Sequence, residues 1–177
     1  YGTSIIHGCC ASRPGLAETA QLARLLDRPV LNFGFAGSAK GEPEVAETIA
    51  EVKTPALFLL DYDANVDLDR LEQTLPRFTD ILRERHPAVP IVTISQLRIP
   101  AEREANSADR LRRSAIHRAN CERRRAMGDE AVYFLDGFDL LGETFAECFV
   151  DAVHPNDVGF LRVSEKLAAF LREIRLA

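Results

Sequence analysis

Ala56-Leu57-Phe58-Leu59-Leu60 places five apolar residues in a row, with no polar residue at any alternate position. A strand with one wet face alternates in polarity. A strand covered on both faces reads as a short continuous apolar run, and such strands belong to parallel sheets with helices on either side. The run is followed at once by Asp61-Tyr62-Asp63-Ala64-Asn65, so polar side chains gather at its carboxyl end.

Outward from this strand, helical and strand periods alternate. Upstream, a Pro14-Gly15 start leads into Leu16, Ala20, Ala23 and Leu26 at helical spacing. Val30 to Phe33 is strand-sized, and Pro43 opens a helix carrying Val45, Ile49 and Val52. Downstream, Asp67 caps a helix bearing Leu68, Leu71, Leu75, Phe78 and Leu82, and Pro90 to Ile94 is the next strand. A long helix spans about Ala108 to Met127, and Val132 to Leu135 is the last strand. Pro155 precedes a closing helix whose Val158, Leu161, Val163, Leu167 and Phe170 are expected to face the core. Alternation of this kind predicts an α/β fold with helices on both faces of a parallel sheet.

The chain has 177 residues, 46% hydrophobic and 28% charged, which suits one domain with one substantial core and no disordered tail. A net charge of -5 argues against a nucleic-acid partner, which needs an excess of Lys and Arg on one face. The local exception, the seven arginines between Arg110 and Arg125, reads as a solvated helix face. His86 and His117 are expected to be solvent-exposed as well. No apolar run is long enough to span a bilayer. Cys9, Cys10, Cys121 and Cys148 lack zinc-type spacing and are expected as reduced thiols, with no metal site.

Two short motifs carry the chemistry. Gly2-Thr3-Ser4-Ile5 and Asp151-Ala152-Val153-His154-Pro155 together supply a hydroxyl, an imidazole and a carboxylate. A serine becomes nucleophilic when a base takes its proton, and an imidazole does so best when a carboxylate fixes its tautomer. Ser4 is therefore the candidate nucleophile, His154 the base and Asp151 its partner. In a parallel α/β sheet the ligand site lies beyond the carboxyl ends of the strands. Ser4, Gly37 and Asn65 all fall on that edge, and the N–H groups of Ser4 and Gly37 with the Asn65 amide are candidate oxyanion donors. His7, three residues after Ser4, competes for the base role but has no orienting carboxylate near it in sequence. His7, Arg98 and Arg103 are assigned to substrate binding. Phe138, Leu140, Leu141, Phe145 and Phe149 are read as core in preference to an acyl pocket. The glycines of residues 32–37 lack the ending of a nucleotide-binding loop.

In their order along the chain, Ser4, Gly37, Asn65 and His154 resemble the blocks of the SGNH hydrolases, also called the GDSL lipase and esterase family. Tyr1-Gly2-Thr3-Ser4-Ile5 and Cys10-Ala11-Ser12-Arg13-Pro14-Gly15 resemble a bacterial branch that carries a β-rich domain upstream. The resemblance implies a three-layer α/β/α flavodoxin-like fold, ester hydrolysis through an acyl-serine, and no cofactor or metal. Short acyl esters, with acetyl groups on carbohydrate foremost, are the expected substrates. A lysophospholipase or thioesterase, and an inactive binding domain of the same fold, are the alternatives. Two departures stand out: Thr3 replaces the usual Asp of the first block, and the third block, usually Gly-x-Asn-Asp, reads Asp63-Ala64-Asn65-Val66. The family's first strand precedes the serine, so residues 1–3 are expected to be the end of a central strand in an excised domain.

Overall fold

The computed structural model describes residues 1–100 and 107–176. Its parallel sheet contains β1 (Phe58–Leu60), β2 (Ile91–Ile94) and β3 (Val132–Leu135), in that spatial order. Phe58 lies opposite Ile91, and Ile91 opposite Val132. On the far side of β1, Gly2 bridges in parallel to Asp61 and to Gly34. Asp61 N–H donates to Tyr1 O at 2.9 Å, and Gly2 N–H donates to Phe33 O at 3.1 Å. Across the sheet the order is thus residues 33–34, residues 1–3, β1, β2 and β3, the doubly wound arrangement in which strand order reverses beside the first segment.

The helices are α1 (Ser4–His7), α2 (Glu18–Leu26), α3 (Pro43–Ala50), α4 (Leu68–Arg85), α5 (Ser107–Ala126) and α6 (Asp157–Glu173). On one face α3 packs on α4 and α4 on α5, while α2 packs on α6 on the other. Leu71, Leu75, Phe78 and Leu82 of α4 join Phe58, Leu60, Ile91 and Val132 in the first core layer. Leu22 of α2 and Phe160, Val163, Leu167 and Leu171 of α6 meet Val92 and Ile94 in the second. Every residue of β2 is buried, as a strand covered on both sides requires. Full burial of each large apolar side chain stabilises the fold by roughly 1.5–3 kcal/mol.

Several expectations need correction. Residues 30–32 form no strand, because pairing in this region is confined to Gly34 beside Gly2; Leu31 is exposed instead. Asn32 uses its side chain, donating to Ile6 O at 2.7 Å and to Thr19 Oγ1 at 2.9 Å. Pro14–Leu16 is a separate 3-10 turn before α2. Val158 and Leu161 face outward, since the buried stripe of α6 runs through Phe160, Val163, Ser164, Leu167 and Ala168.

The basic run is a solvated face only in part: Arg112, Arg118 and Arg125 are exposed, while others turn inward. Arg124 is buried against Asp129 and Asp80, at 2.9 and 2.8 Å, and Arg83 of α4 reaches the same Asp129 at 2.8 Å. Burial pushes the Asp129 carboxyl up, but the Arg124 hydrogen bond, the Ala131 N–H and Arg83 outweigh it and hold the carboxyl below its ordinary range. His117 is 1% exposed and stacks on Phe134. His86 lies against Phe58, its Nε2 2.9 Å from Ala50 O. No helix among the described residues is long and apolar enough to cross a membrane.

Candidate active site

Ser4 opens α1 directly beyond the sheet edge, where Thr3 N–H donates to Asp61 O at 3.2 Å. Thr3 caps the helix, its hydroxyl accepting from Ile5 N–H at 3.2 Å. The hydroxyl thus fulfils the capping role open to Asp at the same position. With Ile5 N–H engaged, Ser4 N–H has no acceptor among the described residues.

The segment bearing the imidazole is pinned from three directions. Phe149 and Pro155 form an antiparallel bridge, and Asn156 N–H donates to Cys148 O at 2.8 Å. Asn156 Oδ1 caps α6, accepting from Val158 and Gly159 N–H at 3.0 Å each. Gly159 permits this closure, because a β-carbon there would lie 2.4 Å from Cys148 O. Asp157 accepts from Ser12 N–H at 2.9 Å and from its hydroxyl at 2.6 Å, joining the α6 turn to the loop after α1.

This bracing brings the two motifs together across 150 positions of sequence: Ser4 Oγ lies 3.0 Å from His154 Nε2. On the far side of the ring, His154 Nδ1 is 2.8 Å from Asp151 Oδ2. Asp151 Oδ1 accepts from the N–H groups of His154 and Val153, at 2.6 and 2.7 Å. The His154 N–H, its ring and the Val153 N–H together hold the Asp151 carboxyl at about 2, so it is ionised at neutral pH although exposed. An anionic partner at Nδ1 favours the tautomer whose Nε2 accepts the Ser4 proton.

Gly37 sits in the left-handed region, φ +67°, in the turn after Gly34, with open space where a β-carbon would lie. Its N–H has no acceptor among the described residues. Asn65 closes the Asp63–Asn65 turn at the end of β1, and its Nδ2 lies 3.5 Å from Phe35 O, against that same glycine turn. Both candidate donors therefore occupy adjoining loops at the carboxyl edge.

The remaining candidates fall as follows. His7 is exposed at the end of α1, and its ring makes no polar contact among the described residues. Arg98 lies over Phe145 and Phe138, 4.0 and 5.1 Å from their ring centroids. Leu140 and Leu141 are core, as expected, whereas Phe138, Phe145 and Phe149 are only partly buried. Arg103 lies outside the described residues. A cavity of about 560 Å³, with Leu22, Val30, Ile49 and Leu57 in its wall, is lined by none of Ser4, His154 or Asp151.

Sequence reading missed the support beneath Asn65. Asp63 is fully buried, and its Oδ2 accepts from Gln96 N–H at 3.0 Å and lies 3.3 Å from His117 Nε2. Arg113 donates to the carbonyls of Asp63 and Val66, at 2.6 and 2.8 Å, clamping both ends of the turn. The departure from the usual glycine at this position is thus an anchor. The missed cap Asn156 had a readable signal, a capping residue placed before a helical period.

Fold and site together define a three-layer α/β/α protein with its candidate site at the carboxyl ends of the parallel strands. Residues 1–172 match the GDSL-like lipase/acylhydrolase family, and the chain belongs to that family. None of the curated proteins compared with the chain matches it. A candidate GDSL-like lipase from Bacteroides ovatus is similar in structure, with a TM-score of 0.89 and 32% identity over 98% of this chain and 52% of that one. A salicylyl-acyltransferase from a tetracycline biosynthetic pathway follows with a TM-score of 0.83 and 25% identity, over 99% of this chain and 54% of that one. This chain thus spans about half the length of either protein. The fold alone is shared with a family two carbohydrate esterase from Clostridium thermocellum, at a TM-score of 0.72 and 13% identity, over 99% of this chain and 63% of that one.

Proposed function

We propose that the chain is a serine esterase that removes short acyl groups, acetyl foremost, with carbohydrate esters as the preferred substrates. The observation that carries this reading is the line of Ser4 Oγ, the His154 ring and the Asp151 carboxylate, with contacts of 3.0 and 2.8 Å. His154 Nε2 takes the hydroxyl proton as Ser4 Oγ adds to the ester carbonyl. The resulting oxyanion is stabilised by the N–H groups of Ser4 and Gly37 and by the Asn65 amide. Collapse expels the alcohol, which receives the proton from His154. Water, deprotonated by the same ring, then releases the acid and restores Ser4. The path uses side chains and backbone only, so the reaction needs no metal or cofactor.

Open surroundings favour a short acyl group: His7, Asp151 and Val153 are exposed, and Ser4 is only partly covered. The carbohydrate preference rests on the motif resemblance to the bacterial branch. Transfer of the acyl group to an alcohol instead of water is the second reading, favoured by the similarity to the salicylyl-acyltransferase. Turnover of p-nitrophenyl acetate should disappear in Ser4→Ala. Most of the activity surviving in that variant would overturn the assignment, while a panel of acetyl, octanoyl and thioester substrates, with and without an added alcohol, sorts the readings within it.

A further inference from the structure

Cys10 stands beside the candidate machinery without belonging to it. Its Sγ, one carboxylate oxygen of Asp151 and one ring nitrogen of His154 all lie within 4.8 Å of one another. Cys10 and Asp151 are exposed and His154 is partly so, leaving the cluster open to solvent. Cys10 has φ +71°, a left-handed backbone in the loop that follows α1. That loop is tied to the α6 turn by the Ser12–Asp157 pair. The thiol is therefore held on the same braced corner as the imidazole.

We infer that Cys10, His154 and Asp151 form a binding site for a soft divalent cation, zinc above all, and that its occupancy silences Ser4. Thiolate, imidazole and carboxylate are the donor set of zinc, at bond lengths of about 2.0–2.3 Å, with water completing four-coordination. Those bonds place the donors roughly 3.5 Å apart, a spacing within the 4.8 Å that bounds the three donor atoms here. Coordination transfers the Cys10 proton to solvent and uses a ring lone pair of His154. His154 has two nitrogens, and each already has a task. A metal on Nε2 displaces the Ser4 hydroxyl, and a metal on Nδ1 displaces the Asp151 carboxylate. Either way the base is lost, so zinc inhibits and does not activate. The inhibition, though not the binding, rests on the esterase reading.

Zinc uptake by the purified chain is measured by competition with a chromophoric chelator, alongside the reaction of the thiols with a disulfide reagent. Magnesium serves as the hard-cation control. The expected result is one equivalent of zinc, protection of one exposed thiol, and loss of p-nitrophenyl acetate turnover that EDTA restores, with no effect of magnesium. Cys10→Gly suits the left-handed backbone and so keeps the fold, which circular dichroism checks. It should leave metal-free turnover intact and weaken zinc binding at least about tenfold, since even outer-shell partners of a zinc site are worth roughly 10–100-fold. Cys10→Ser should bind with intermediate strength. Ser4→Ala should bind zinc undiminished, which separates failure of this site from failure of the esterase reading. Equal zinc binding by Cys10→Gly and the unaltered chain, or zinc that binds without slowing turnover, would overturn the inference.

Discussion

At the residue scale, two histidines compete for one role, and their surroundings separate them. His154 has Ser4 on one nitrogen and Asp151 on the other, whereas the ring of His7 has no polar partner among the described residues. His154→Ala should therefore lower kcat nearly as far as Ser4→Ala, on the order of a million-fold, and the double variant should be little worse because the pair acts as a unit. Asp151→Asn should cost about ten-thousand-fold, since the ring stays while its tautomer is disturbed. His7→Ala should mainly change KM. With its carboxyl at about 2, Asp151 loses its charge only as pH falls through that value. Asp151 itself should therefore add no limb to the kcat/KM profile between neutrality and about pH 4. Asn65→Ala should reduce kcat roughly 10²–10³-fold with KM little changed, because an oxyanion donor acts on the transition state; a change confined to KM moves Asn65 to substrate binding. These residue types were legible because the chemistry demands a hydroxyl, an imidazole and a carboxylate, and their order along the chain resembles the family's blocks. Cys10, Ser12 and Asp157 were not, because their neighbours depend on how two loops far apart in sequence close on each other.

At the element scale, the length of α5 was legible and its inward face was not. The expected span of 108–127 differs by one residue at each end from Ser107–Ala126. Seven arginines in sixteen positions resemble a solvated face because sequence spacing on one helix cannot reveal acids on another element. Asp80 lies on α4 and Asp129 in the turn after α5, and between them they pair with Arg83, Arg123 and Arg124. Asp129→Ala leaves Arg83 buried without a carboxylate and Arg124 with Asp80 alone. It should destabilise the fold by about 3–5 kcal/mol, read as a lower urea midpoint. A loss below about 1 kcal/mol, the size of an exposed pair, would mean that solvent reaches this cluster.

At the scale of the whole molecule, the parallel α/β class follows from alternating periods and one continuous apolar run, while residues 30–32 read as a strand and are not one. β-propensity reports a side chain's fit to a pleated surface, and pairing also requires a neighbour with free backbone groups. The interior holds two carboxylates with consequences for stability. Burial pushes Glu18 up to about 7, and burial followed by neighbouring Glu18 raises Asp61 well above the ordinary carboxylate range. Because the folded protein holds these protons more tightly than the unfolded chain, their stabilising contribution is complete below about pH 4 and is lost as pH rises through the folded values. Tm should accordingly fall from about pH 5 to pH 8, and Glu18→Gln, which stays neutral, should flatten that decline. An unchanged profile in Glu18→Gln would show that Glu18 is ionised in the folded state across the range.

The central claim is that Ser4, driven by His154, becomes the acyl carrier. Intact-mass measurement and peptide mapping after exposure to a fluorophosphonate read this directly, because the reagent attaches irreversibly to an activated serine. One adduct per chain on the peptide containing Ser4, formed rapidly in the unaltered protein, very slowly in His154→Ala and unimpeded in Cys10→Gly, is the predicted result. Full occupancy of Ser4 in His154→Ala at the original rate, or an adduct on Cys10 with Ser4 untouched, would contradict it.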